Sequence, residues 1–257
     1  MPIRITRSIV PNLFTLANLF SGFCAIVMFS KGEFENGAMF IFLAGIFDMF
    51  DGYMARLTNS ASELGVELDS LCDAVSFGVA PSFLLYMVHY KNLGEIGLLM
   101  AAIPAMAGVY RLARFNSQLT SLEDKQYFSG MPIPSGAMTI VSFVIFFLLK
   151  NIIPLHYIDA SVNFVNIVTS FAMISTIKYD NFPRPSIKNF KLHPFIYTFF
   201  LIGFVVIIVT KGSFLFPFMM LYITIGATRH LITWWKERNE IDDNDEEDED
   251  EDSEIIQ

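Results

Sequence analysis

Four aspartates carry the most suggestive chemistry in this chain. The stretch Phe47-Asp48-Met49-Phe50-Asp51-Gly52-Tyr53-Met54-Ala55-Arg56 is followed, after a short polar interval, by Gly65-Val66-Glu67-Leu68-Asp69-Ser70-Leu71-Cys72-Asp73. Asp48 and Asp51 are three positions apart, and Asp69 and Asp73 are four apart, so each pair falls on one face of a helix, stacked a turn apart. A short connection between antiparallel helices would let the pairs face each other. Arg56 is the only cation in the segment, and four carboxylates so placed would repel strongly. Hard divalent cations resolve that repulsion, because Mg²⁺ or Mn²⁺ takes oxygen ligands and shares them with phosphates. Two such ions about 4 Å apart can clamp the attacking and leaving oxygens of an in-line phosphoryl displacement. The plainer alternative is four separate helix-end acids, with Asp69 helping to cap its helix. Ionisable groups at membrane depth are usually functional, which weighs against that alternative.

The elements that must position these acids are membrane spans. The chain has 257 residues, of which 53% are hydrophobic, 15% aromatic and only 17% charged. Mean hydropathy is +0.48. Phe alone contributes 27 residues, more apolar surface than one soluble core of this size can bury. Soluble enzyme, nucleic-acid binder and disordered scaffold all fit poorly. Eight apolar runs are long enough to cross a bilayer as helices, at 10–30, 37–54, 68–89, 93–112, 132–149, 161–177, 194–210 and 213–235. The sixth is the weakest, because Asp159, Asn163 and Asn166 crowd its start. Six to eight spans are therefore expected, with eight the best count, in an all-α polytopic bundle. The N-terminal Met1-to-Arg7 stretch leads into the first run without a small-residue cleavage site, so that run reads as a span and not a removable signal.

Charge orients the bundle. The net charge of −9 is misleading: the segment from Glu240 to Glu254 holds 12 of the 26 acids and no base, leaving 14 acids against 17 Lys and Arg elsewhere. With the N-terminus in the cytoplasm, Arg4, Arg7, Arg56, Arg111, Arg114, Lys125, Lys178, Arg184, Lys188, Lys191, Arg229, Lys236 and Arg238 lie inside. Only Lys31, Lys91, Lys150 and Lys211 then lie outside, a strong positive-inside bias that places both termini in the cytoplasm. Residues 239–257 read as a disordered acidic tail. Cys24 and Cys72 sit in apolar runs and read as free thiols. His89, His156, His193 and His230 are scattered near span ends without metal-binding partners. Trp234 and Trp235 suit an interfacial aromatic belt.

Written out, the aspartate segment is D-x2-D-G-x2-A-R-x8-G-x3-D-x3-D. It resembles the signature of the CDP-alcohol phosphatidyltransferase family at every defining position over 26 residues. The resemblance implies a six-span catalytic core at about 1–192, two further spans at 193–238 and the tail. It implies that Asp48, Asp51 and Asp69 are the principal ligands of a di-metal centre of Mg²⁺ or Mn²⁺. Asp73 would touch the second metal and accept the proton of the attacking alcohol. CDP-diacylglycerol would approach Gly52 and Ala55, with its diphosphate on Arg56, a role suited to a guanidinium fork. Ser62 is a further hydroxyl contact in some relatives. The Pro11-Asn12 opening resembles family members whose first helix lines the nucleotide pocket. Asn12, Thr15 and Asn18 fall roughly along one face, where helix–helix hydrogen bonding competes with substrate contact.

The aspartates do not discriminate between acceptor alcohols. Arg111-Leu112-Ala113-Arg114-Phe115-Asn116 and Phe128-Ser129-Gly130-Met131-Pro132-Ile133-Pro134-Ser135-Gly136 resemble stretches of the membrane-integrated phosphatidylserine synthases of that family. Met131 and Gly136 replace a commoner leucine and alanine. An arginine pair suits the carboxylate of serine and Asn116 its ammonium, although Arg111 and Arg114 could equally anchor a span end. The implied activity is transfer of phosphatidyl from CDP-diacylglycerol to L-serine, by a homodimer in the cell (inner) membrane with its site toward the cytoplasm. A sibling enzyme using glycerol 3-phosphate or inositol phosphate, or more distantly a divalent-cation transporter, is the alternative.

Overall fold

The computed structural model describes residues 9–58, 62–119, 128–179, 202–203 and 205–255. Helix α1 (Ile9–Ser30) and helix α2 (Phe34–Leu57) form a tight antiparallel hairpin. Its turn places Gly32 at φ +79°, where a Cβ would be strained. Helix α3 (Glu63–Asp73) passes through a π-helical segment, Ala74–Val79, into α4 (Ala80–Val88). Together they make one apolar span, Glu63–Val88. Helix α5 (Gly94–Leu119) returns across the bundle. Helix α6 (Ile133–Phe143) continues as a second π-helical segment, Val144–Leu148, and α7 (Ile158–Ile174) follows. The last described helix is α8 (Leu215–Ile255). Strands β1 (Phe128–Ser129) and β2 (Lys178–Tyr179) pair antiparallel for two residues, with Phe128 opposite Tyr179.

Six helices among the described residues are long and apolar enough to cross a membrane, and the fold is that of an integral membrane protein. The expected run at 132–149 is represented by the shorter Ile133–Leu148. It is short because Pro132 and Pro134 begin it after the Gly130 turn, and it lies against α7, α8, α4 and α5 with most of its side chains buried. The expected run at 194–210 falls largely outside the described residues. Cys24 and Cys72 are free. The backbone of α8 continues helically through the acidic segment to Ile255, where the sequence reading has an unstructured tail from Asn239. Glu is a good helix former, which lets the backbone continue there.

Apolar side chains cover the outside of the bundle as well as its core, and polar ones are buried among them. Leu13, Phe20, Phe23, Leu98 and Leu99 face outward, while Thr15, Asn18, Ser76, Thr139, Asn166 and Thr169 are buried. The asparagines that weakened the sixth run explain themselves here. Pro104 lies inside α5 and has no N–H to offer the carbonyl of Met100. Asn166 of α7 supplies the missing donor, 2.8 Å from that carbonyl, and donates also to Tyr90 Oη at 3.0 Å. The Tyr90 hydroxyl in turn donates to Asn163 Oδ1 at 2.7 Å. Polar residues that argued against a span are thus paired within it. Asn166→Leu, which leaves the Met100 carbonyl buried and unpaired, is expected to cost about 1–3 kcal/mol. Thermal unfolding in detergent checks it, and an unchanged melting temperature would refute this account.

Candidate active site

Asp48 and Asp51 occupy the last turns of α2, and Asp69 and Asp73 lie on α3. The chain between them reverses direction and α3 starts at Ser62, whose Oγ accepts the Gly65 N–H at 3.1 Å as an N-cap. Asp48, Asp51 and Asp69 each bring a carboxylate oxygen within 4.8 Å of the others. Two of their oxygens, Asp51 Oδ2 and Asp69 Oδ1, are buried without a hydrogen-bond partner. Buried acceptors left unpaired are costly, and three carboxylate oxygens converging in one place suit a cation. The residues therefore fit a hard divalent ion held by carboxylates.

Asp73 is buried but is not part of that three-oxygen cluster. Its Oδ1 accepts a 2.9 Å hydrogen bond from Asn18 Nδ2 on α1. The carboxylates beside it flank a cavity of about 140 Å³ between α1, α2 and the start of α3. Pro11, Asn12 and Thr15 form one wall, Asp51, Gly52 and Ala55 the second, and Ser62, Gly65, Val66 and Asp69 the third. A Cβ at Gly52 would sit 3.5 Å from Arg56 Nη1, so the guanidinium folds back over the glycine. Asn12, Gly52, Ala55 and Ser62, expected at one nucleotide site, do line one cavity, with Arg56 at its edge. Ser62 also has a structural duty as the cap of α3. Gly65 and Val66 were not named for the wall, whereas Thr15 lies where its spacing from Asn12 along one face of α1 had set it.

The three residues expected to hold the alcohol are placed differently from one another. Arg111 is buried, its guanidinium lies 5.2 Å from the centre of the Phe115 ring, and its Nε has no partner. Arg114 instead donates to the carbonyls at the end of α7: Ile174 at 2.6 Å, Ser175 at 2.9 Å and Met173 at 3.4 Å. These are the orphan acceptors of a helix C-terminus, and a cation there also complements the helix dipole. Gly130, at φ +85°, packs against the same place; a Cβ would come within 2.6 Å of Arg114 Nη2. Its N–H donates to Ile177 O, and that of Met131 to Ala172 O, both at 2.9 Å. The Gly130-Met131 turn is therefore fastened to the end of α7. Asn116 Nδ2 donates to Ser70 Oγ at 3.0 Å, which ties α5 to the turn carrying Asp69.

Comparison with known proteins follows the same outline. The family model for CDP-alcohol phosphatidyltransferase matches residues 8–178. A CDP-diacylglycerol–serine O-phosphatidyltransferase of Helicobacter pylori is 35% identical over 226 residues, covering 86% of this chain and 90% of that protein. The protein of the same name from Bacillus subtilis is 34% identical over 180 residues, covering 70% and 94%. Its namesake from Methanocaldococcus jannaschii is 37% identical over 175 residues, covering 68% and 75%.

The cluster makes a prediction whose sign depends on metal. Without divalent ions, Asp69→Asn removes one of three mutually repelling charges and is expected to raise the melting temperature. With Mn²⁺ the parent gains stability by linkage, about 2.7 kcal/mol at a hundredfold excess over Kd, and the variant gains much less. Melting curves with EDTA and with Mn²⁺ check it; parallel shifts in both proteins would place the ion elsewhere.

Proposed function

Because the chain belongs to the CDP-alcohol phosphatidyltransferase family, a metal-dependent family of transferases, we propose that it is the catalyst of phosphatidyl transfer from CDP-diacylglycerol to L-serine. The products are phosphatidylserine, CMP and a proton. One observation carries this reading: relatives bearing that activity in their names align over most of this chain at 34–37% identity. The carboxylate cluster beside the three-walled cavity supports it.

Asp48, Asp51 and Asp69 would hold the divalent ions, Mg²⁺ or Mn²⁺, two to a site. Ions held there supply charge neutralisation for the reacting phosphorus and the departing nucleotide oxygen. The chain's own residues do the remainder. Gly52 and Ala55 keep the second wall free of bulk, so that the cytidine nucleotide lies against α2. Arg56 holds the diphosphate as a fork. Asp73 takes the proton of the serine hydroxyl as the serine oxygen bonds to phosphorus and the bond to CMP breaks. Holding both reactants side by side supplies much of the rate by positioning. Asn12 and Ser62 contribute polar contacts to the nucleotide, Ser62 while capping α3.

For the alcohol, the reading favours Arg111 over Arg114 as the partner of the serine carboxylate. The Arg111 Nε is buried and unpaired, whereas Arg114 already serves three carbonyls. Asn116, next to the Asp69 turn through Ser70, offers its amide oxygen to the ammonium. The same proposal sets the site toward the cytoplasm of the cell (inner) membrane, in agreement with thirteen bases on one side against four on the other. It includes a homodimer, a catalytic core at 1–192, two additional spans at 193–238 and a separate tail.

The first test is CMP release from CDP-diacylglycerol by purified protein with Mn²⁺, comparing serine, glycerol 3-phosphate and inositol phosphate. Serine-dependent release, lost in Asp73→Asn, is the expected result. Release with another alcohol would keep the family and overturn the serine assignment. Mn²⁺ uptake into liposomes without turnover would point to a transporter. Arg111→Gln removes a charged hydrogen bond of about 1.5–3 kcal/mol, so the KM for serine is expected to rise about 10- to 100-fold. Arg114→Gln is expected to lower the melting temperature more than it raises that KM. The opposite pattern would exchange the two roles.

A further inference from the structure

We propose that Asn18 is a positioning residue for the transfer reaction, its side-chain amide holding the Asp73 carboxylate in the orientation from which it accepts the alcohol proton. The inference rests on the reading of Asp73 as that acceptor.

Asn18 lies in the interior of α1, fully inaccessible, 55 residues from its partner, and its Nδ2 is 2.9 Å from Asp73 Oδ1. An amide nitrogen donates and a carboxyl oxygen accepts, so Asn18 fixes Oδ1 of Asp73 whether or not the other oxygen carries a proton. With Oδ1 so engaged, the second oxygen is left for the proton. The bond is built on a rigid base. Ser76, also fully buried, donates its hydroxyl to the backbone carbonyl of Asn18 at 3.0 Å. Ser76 follows Asp73 by three residues, inside the π-helical segment, so the carboxylate and the hydroxyl that grip Asn18 come from one turn. Gly22, one turn further along α1, allows this approach: a Cβ there would lie 2.7 Å from the Ser76 Cα. Two hydrogen bonds and a backbone contact thus fix α1 against the turn that carries Asp73. A π-helical turn beginning directly after a reacting residue is itself a recurrent mark of functional sites.

The amide is specifically suited to this place. A leucine or alanine would leave the Asp73 oxygen buried without its donor. An aspartate would set one more carboxylate against a group already surrounded by three. Mere attachment of α1 to α3 is the competing account, since buried asparagines often join membrane helices. The two accounts separate in kinetics. A positioning residue governs kcat through Asp73, whereas helix attachment governs stability.

The experiment compares the parent, Asn18→Ala, Asn18→Asp, Asp73→Asn and the Asn18→Ala/Asp73→Asn double variant in detergent. Turnover of CDP-diacylglycerol with serine, affinity for CDP and melting temperature with Mn²⁺ are measured for each. Asn18→Ala is expected to lose about 10- to 100-fold in kcat, with the KM for CDP-diacylglycerol and the affinity for CDP within about threefold. Asn18→Asp should lose at least as much, and the double variant should be no slower than Asp73→Asn alone. A kcat within about threefold of the parent overturns the proposal, as does a double variant slower than Asp73→Asn by the full Asn18 factor. Absence of turnover in the parent would defeat the serine-transfer reading by itself. Where Asp73→Asn has no measurable turnover, the kcat of Asn18→Ala decides alone: a loss of about 10- to 100-fold with unchanged affinity for CDP supports the proposal, and a kcat within about threefold of the parent overturns it.

Discussion

Everything in this bundle is arranged around mutual repulsion between carboxylates that the fold forces together. Asp48, Asp51 and Asp69 converge within 4.8 Å in the company of apolar helices. At that separation two unit charges repel by on the order of 3 kcal/mol even at an effective dielectric of about 20. Nothing in the stability of a small helical bundle asks for such a cluster, and a bound cation would offset its cost. Divalent ions and the diphosphate they share are the natural complement, because together they alternate positive and negative charge. On the proposed reading the site is an incomplete electrostatic assembly that substrate and metal would finish.

A strained cluster of this kind needs stiff supports, and the polar groups buried in the helices supply them. Asn166 compensates the carbonyl released by Pro104. Arg114 closes the end of α7 and holds the Gly130-Met131 turn. Asn116 reaches Ser70 beside Asp69. Each bond joins elements distant in sequence, and each would be weakened by water that the surrounding bundle excludes. Small residues make the approach possible: Gly22 against Ser76, Gly108 against Ile133 and Gly136 against Met173. Lipid offers no hydrophobic drive for helices to associate, so close packing and interhelical hydrogen bonds must do it.

How much of this was legible in the sequence depended on whether the information was local. The carboxylate pairs were legible because helical spacing alone places them on one face, and the spans because length and apolarity suffice. Asn12, Gly52, Ala55 and Ser62 were grouped through resemblance to a known signature, and they line one cavity. The partners of the polar residues were not legible. Arg114 sits in a motif that suggests a ligand, yet its contacts are the carbonyls of a helix sixty residues on. Asn163 and Asn166 argued against a span because their partners, Tyr90 and the kinked carbonyl of Met100, belong to other elements. The run at 132–149 was legible to within a residue at each end, but hydropathy does not register that neighbouring helices surround much of it. Asn18 fell on a recognised face, but nothing local distinguished attachment from a grip on Asp73.

The geometry also separates the task of reacting from the task of choosing. The cavity proposed for the nucleotide is built from α1, α2 and the first turns of α3, the stretch that carries the family signature. The groups that could select an alcohol, Arg111 and Asn116, stand on α5. The two halves meet where Asn116 holds Ser70, one residue from Asp69. An alcohol bound on α5 is thereby registered against the α3 carboxylates by a single short connection. On the proposed reading, a different acceptor would be accommodated by changes on the face of α5 and at the Gly130 turn, while the charged cluster stays as it is. Under that reading the division is useful, because a change within the cluster itself would disturb the balance of charge on which the proposed transfer depends.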